Sequence, residues 1–111
     1  MTMTERIGTY RDFWPYYLRE HAKRGTRALH FLGTGSSIAL LAALAATGDW
    51  RWLLGAVVVG YAFAWIGHFL IERNRPATFA YPLWSLASDF RMLFLFLAGR
   101  LGDELRRHQI R

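Results

Sequence analysis

Tyr61-Ala62-Phe63-Ala64-Trp65-Ile66-Gly67-His68-Phe69-Leu70-Ile71-Glu72-Arg73-Asn74-Arg75-Pro76 runs a membrane-grade apolar segment straight into a histidine, an acid and a charged exit. Counted from Trp52, the run to Ile71 is twenty residues with one ionisable group, His68. At about 1.5 Å rise per residue, a helix of that length crosses a hydrocarbon layer of roughly 30 Å. An imidazole near the end of such a span is costly to bury unless something uses it. Glu72 follows four residues later, so on a continuing helix it shares a face with His68. Back along the same ridge, Ala64, Gly60 and Ala56 form a small-xxx-small row that lets another helix approach closely, and a homo-oligomer through this ridge is one outcome.

The composition agrees with a membrane protein. Of 111 residues, 53% are hydrophobic and 16% aromatic, and they fall in blocks instead of at the spacing of a soluble core. The length suggests a single domain. There is no cysteine, which excludes disulfides and thiolate metal sites, so any metal must be held by nitrogen and oxygen. A net charge of +6 invites a nucleic-acid reading. The arginines, however, flank apolar segments and no nucleic-acid motif is present, so membrane lipids are the expected partners and nucleic acid is not. The first apolar run begins only near Leu29, which predicts a retained span in place of a cleaved signal.

Taken in order, Met1 to Thr9 is polar and predicted to be disordered. Tyr10, Phe13, Trp14, Tyr17 and Leu18 then fall on one helical face, with His21 next on the stripe. Pro15 suits a first helical turn, and Lys23-Arg24-Gly25 reads as a helix end with a left-handed cap. This predicts an interfacial helix over 10–25 with its aromatic face among lipid head groups. Thr26 can cap a second helix carrying His30 and a first span over 27–47. Gly48-Asp49 then forces a tight antiparallel hairpin with a second span over 50–73. Folding about that turn places His30 opposite residues 67–69, at the depth of His68. Asp89 and Arg91 interrupt the apolar run 83–101, which predicts a tilted or re-entrant third helix, followed by a basic tail over 102–111. The expected fold is thus an all-α membrane domain spanning 1–111.

Six basic residues precede Leu29 (Arg6, Arg11, Arg19, Lys23, Arg24 and Arg27), the hairpin tip has only Arg51, and Arg73 and Arg75 follow the second span. The positive-inside bias then puts the tip outside the cytoplasm and His21, His30, His68 and Glu72 on the cytoplasmic side. The expected location is a multi-pass position in a bacterial inner membrane, or in the endoplasmic reticulum of a eukaryote.

Three histidines at one membrane face suit a divalent metal. Non-haem iron uses such ligands when open positions must remain for oxygen and substrate, and zinc accepts them too. Taken singly, each has a plainer reading: His21 as a polar helix end, His30 as a snorkelling side chain, Glu72 as a salt-bridge partner or a group orienting His68. His108 reads as a solvated residue of the tail.

Phe13-Trp14-Pro15-Tyr16-Tyr17-Leu18-Arg19-Glu20-His21, Leu29-His30-Phe31-Leu32-Gly33-Thr34, Trp65-Ile66-Gly67-His68-Phe69, Glu72-Arg73-Asn74-Arg75-Pro76-Ala77 and Tyr81-Pro82-Leu83-Trp84-Ser85-Leu86 before Asp89 together resemble the 2-hydroxy fatty acid dioxygenase family. Its characterised fungal member works in the endoplasmic reticulum. The resemblance covers Phe13 to about Arg100. It implies iron(II)-dependent α-oxidation, in which O2 and a 2-hydroxy fatty acid give a fatty acid one carbon shorter. It also implies that His21, His30 and His68 hold Fe(II). Glu72 and Asn74 become candidate catalytic residues by their place beside it, and Arg73 and Arg75 are candidates for holding the substrate carboxylate. Two other readings remain: a non-catalytic lipid-binding or scaffold protein whose histidines anchor helix ends, and a zinc-dependent lipid hydrolase.

Overall fold

Gly48 turns the chain. Its φ of +71° is a left-handed conformation that glycine adopts at no steric cost, and its N–H closes the preceding helix onto Leu44 O. The two helices it joins are the frame of the computed structural model, which describes residues 6–110. Among the described residues all regular structure is helical: α1 Tyr10–Arg19, α2 Arg24–Thr47, α3 Arg51–Ile66 prolonged by a π-helical turn Gly67–Glu72, a short 3-10 turn Ala77–Phe79, α4 Pro82–Leu97 and α5 Leu101–Arg107.

The small residues of α2 and α3 do what their size permits. A Cβ on Gly33 would stand 3.0 Å from Gly60 O, and one on Gly60 would stand 2.7 Å from Ser37 Oγ. Ser37 Oγ itself donates to Ala56 O at 2.6 Å. Ala56 and Gly60 of the small-residue row therefore pack against α2 of the same chain.

Arg24–Thr47 and Arg51–Glu72 are both long and apolar enough to cross a membrane. Only 17% and 22% of their apolar windows are buried, unlike a core helix of a soluble protein. Leu54, Val58, Ile66, Phe69 and Leu70 project outward from α3 and its continuation.

Several expectations are corrected. Helix α1 starts with Thr9, whose hydroxyl accepts from Asp12 N–H, so Pro15 lies past its first turn. It ends at Arg19 instead of near Gly25, and Gly25 and Thr26 fall inside the first turn of α2. Its aromatic face meets protein instead of head groups. Phe13, Trp14, Tyr17 and Leu18 are buried with Met92, Leu101 and Leu105 from α4 and α5. The helix predicted over 83–101 stops at Leu97, where Gly99 at φ +73° breaks it. The basic segment forms α5: Leu101 and Leu105, and Ile110 beyond it, enter the core, and His108, expected to be solvated, is only partly exposed and lies 3.7 Å from Glu104. Trp14 Nε1 donates to Glu104 at 2.9 Å, tying α5 to α1. Of the predicted disordered start, 1–5 lies outside the described residues. Arg6 donates to Ala80 O, and Ile7 is buried with its N–H on Tyr81.

Candidate metal centre

Each histidine reaches the site from a different local structure. His21 sits just past the end of α1, and Arg27 holds it there, donating to the carbonyls of His21 and Ala22 at 2.8 Å. His30 lies about one turn before Gly33, which packs directly on Gly60 of α3. His68 is in the π-helical turn, whose wider coil admits an extra residue and which recurs at functional sites. Gly67 lets that turn lie against Thr26, since a Cβ there would stand 3.3 Å from Thr26 Cα.

The three rings converge through their Nε2 atoms. His21 Nε2 to His30 Nε2 and His30 Nε2 to His68 Nε2 are both 3.1 Å. All three residues are buried. Their Nδ1 atoms face oxygens: Tyr17 O at 2.6 Å for His21, Asp89 Oδ1 at 3.3 Å for His30 and Asn74 Oδ1 at 2.7 Å for His68.

These partners fix the protons. A carbonyl only accepts, so His21 Nδ1 carries its proton toward Tyr17. Asn74 Nδ2 donates to Glu20 O at 3.0 Å, which turns its Oδ1 to accept from His68 Nδ1. Lone pairs on the Nε2 atoms therefore point at one another in a buried space. Burial first, then the adjacent His30 and His68 rings, hold His21 well below the ordinary imidazole value, so it stays neutral. Such a donor set fits a divalent cation. Nitrogens about 2.1 Å from a shared ion, at right to tetrahedral angles, stand about 3.0 to 3.4 Å apart. Neutral imidazoles with no thiolate suit borderline metals such as iron(II) or zinc.

Beside the rings lies a small chamber bounded by Tyr61, Trp65, Thr78, Ser85 and Asp89. Ser85 Oγ is buried and, among the described residues, has no hydrogen-bond partner. Asp89 Oδ1 accepts from Tyr17 O–H at 2.5 Å. Burial, and then the Asp89 charge, push the Tyr17 phenol well above its ordinary value, so it remains a donor.

The other candidates lie elsewhere. Glu72 is not in the imidazole cluster: its Oε1 accepts from Lys23 N–H at 2.5 Å, capping α2, while Lys23 Nζ donates to Ile71 O. Arg73 and Arg75 are exposed around a shallow depression with Phe69 and Leu70, and Arg75 lies 5.5 Å above the Phe79 ring. Asn74 does approach the site, through His68. Sequence reasoning missed Arg27 and Ser85 there. A Ser85 and Asp89 pair one turn apart on a mostly apolar helix was the available signal for α4.

Fold and site together define a helical protein with two membrane-length apolar helices and a buried histidine triad close enough to hold a metal ion. The chain matches the family described as 2-hydroxy-palmitic acid dioxygenase Mpo1-like over residues 7–101, and it belongs to that family. Comparison with curated proteins and with solved structures returns no match.

Proposed function

We propose that this protein is a membrane-embedded, iron(II)-dependent dioxygenase that shortens 2-hydroxy fatty acids by one carbon. The observation that carries the reading is the meeting of three buried Nε2 lone pairs from His21, His30 and His68, each with its Nδ1 facing an oxygen. Family membership supplies the substrate class. In overall balance, C1 leaves as carbon dioxide, C2 becomes the new carboxyl, and O2 accepts four electrons, with water as the remaining product.

Iron held by the three imidazoles would bring O2 and the substrate's 2-hydroxyl and carboxylate together at its open positions. The chain's own residues prepare that place. Tyr17 O, Asp89 and Asn74 hold the rings in the tautomer that leaves Nε2 free. Ser85 offers its unpartnered hydroxyl to the polar head of the substrate, and the walls around it exclude water. The hairpin inserts with its apolar flanks in lipid, and the basic residues of α1 and of the Arg73 to Arg75 exit keep the histidine end cytoplasmic. Glu72 keeps α2 docked on the turn that carries His68 and is outside the chemistry.

The test is turnover of 2-hydroxypalmitate by purified, iron-loaded protein. Pentadecanoate should form in air and not under argon, and His68→Ala should abolish it. Product formation without O2 would instead support hydrolysis, and full activity of His68→Ala would remove the site.

A further inference from the structure

A second hollow lies beside the histidine chamber. It runs between α2, α3 and α4 and shares His30, Tyr61, Ala64 and Asp89 with that chamber. Beyond those four its walls are mostly apolar or small, with Thr34, Val57, Gly60, Leu86 and Phe90 among them. Val57 and Leu86 are half exposed, so the groove is open along its side. From His30 to Ser37 is seven residues of helix, about 10 Å. It leads from the histidines toward the Gly48 turn.

We propose that this groove seats the acyl chain of the substrate, with the carboxylate end at the histidines and the chain directed toward the hairpin turn. The inference rests on the dioxygenase reading and assigns the tail of the same ligand. Three observations select an acyl chain as the occupant. The groove shares four wall residues with the polar chamber, one of them His30, so the head of an amphiphile lying in it comes up against the histidines. Its direction matches that of a lipid in a bilayer, head at the membrane face and tail toward the midplane. Its open side admits a chain laterally from the hydrocarbon, and its length accommodates only the carboxyl-proximal part, leaving the rest of a long chain in lipid. A separate hollow lined by Arg24, Arg27, Phe31, Phe96 and Leu105 shares no wall with the histidine chamber and cannot serve the same ligand.

Ala64 is a wall common to groove and chamber, and Ala64→Leu takes up space beside both. Leu86→Trp narrows the groove from its exposed wall and disturbs the interior less. The experiment uses a 2-hydroxy fatty acid with a diazirine near the middle of its chain, added to the full protein in phosphatidylcholine vesicles and photolysed, with labelled residues mapped by mass spectrometry. Labelling should concentrate on Thr34, Val57, Leu86 and Phe90, be displaced by excess 2-hydroxypalmitate, and fall about tenfold in Ala64→Leu or Leu86→Trp. Labelling spread over outward residues such as Leu54, Val58 and Leu70, or not displaced, overturns the proposal. Turnover without groove labelling overturns it and leaves the dioxygenase standing. Displaceable groove labelling in a protein with no turnover supports the groove and removes the dioxygenase.

Discussion

His30 and His68, 38 residues apart in the chain, present their Nε2 atoms to each other at 3.1 Å. Nothing local to either residue produces that contact. It follows from equal rise along two helices folded back at Gly48 and from small residues that let those helices touch. Hairpin packing and site geometry are therefore one property.

Tightening or loosening the glycine contact should move the histidines. In Gly33→Leu, the new side chain begins 3.0 Å from Gly60 O and from Phe63 Cβ, so α2 and α3 must separate. Overpacking of this kind costs about 1–3 kcal/mol. The variant should remain helical by circular dichroism in detergent yet bind metal weakly. Wild-type metal affinity in Gly33→Leu would uncouple the packing from the site.

Asn74 acts on the metal through His68. Asn74→Ala removes the acceptor from His68 Nδ1 and the donor to Glu20 O. Losing a partner that orients a metal-binding imidazole typically costs about 10–100-fold in affinity. Competition with a chelator measures it. Glu72→Gln, which keeps an oxygen able to accept from Lys23 N–H, should leave metal affinity within a few fold.

Acid should weaken the apoprotein. An unfolded His21 takes up a proton near pH ~6.5, whereas the folded residue, held lower chiefly by burial, resists it. The unfolded state then binds more protons, so this contribution is intact above about pH 6.5 and is lost as pH falls below it. Denaturant unfolding in micelles should show stability declining between pH ~7 and ~5, with less decline in His21→Phe. Stability rising over that window would contradict a neutral, buried His21.

Helix α5 should be structural. Leu105→Ala opens a cavity beside Trp14 and Leu18 in the core, at a cost of about 2–5 kcal/mol. Thermal unfolding measures it, and an unchanged midpoint would mean that α5 does not pack as described.

Much of this was legible in the residues, and the parts that were not have physical reasons. Helical rise is uniform, so counting from the Gly48 turn places His30 against residues 67–69. The stripe Tyr10, Phe13, Trp14, Tyr17 gave the buried face of α1 but not what covers it: amphipathic aromatic rings suit both the membrane interface and a protein core. Glu72 illustrates a different limit. Its spacing of four from His68 assumes a regular α-helix, and the π-helical turn widens the coil and sends the carboxylate to Lys23 N–H instead. Asp89 arrives from a separate helix, placed by a tertiary contact that no periodicity encodes. Helix α5 could have been found, because Leu101 and Leu105 share a face, Asp103 and Glu104 lie in its first turn, and Arg106 and Arg107 lie in its last.

The most direct measurement is metal content with X-ray absorption on protein purified without chelator and reconstituted with iron(II). One iron per chain, with nitrogen scatterers at about 2.1 Å showing an imidazole pattern and lost in His30→Ala, is the predicted result. A folded protein that retains no metal, or that keeps it unchanged without His30, would contradict the site.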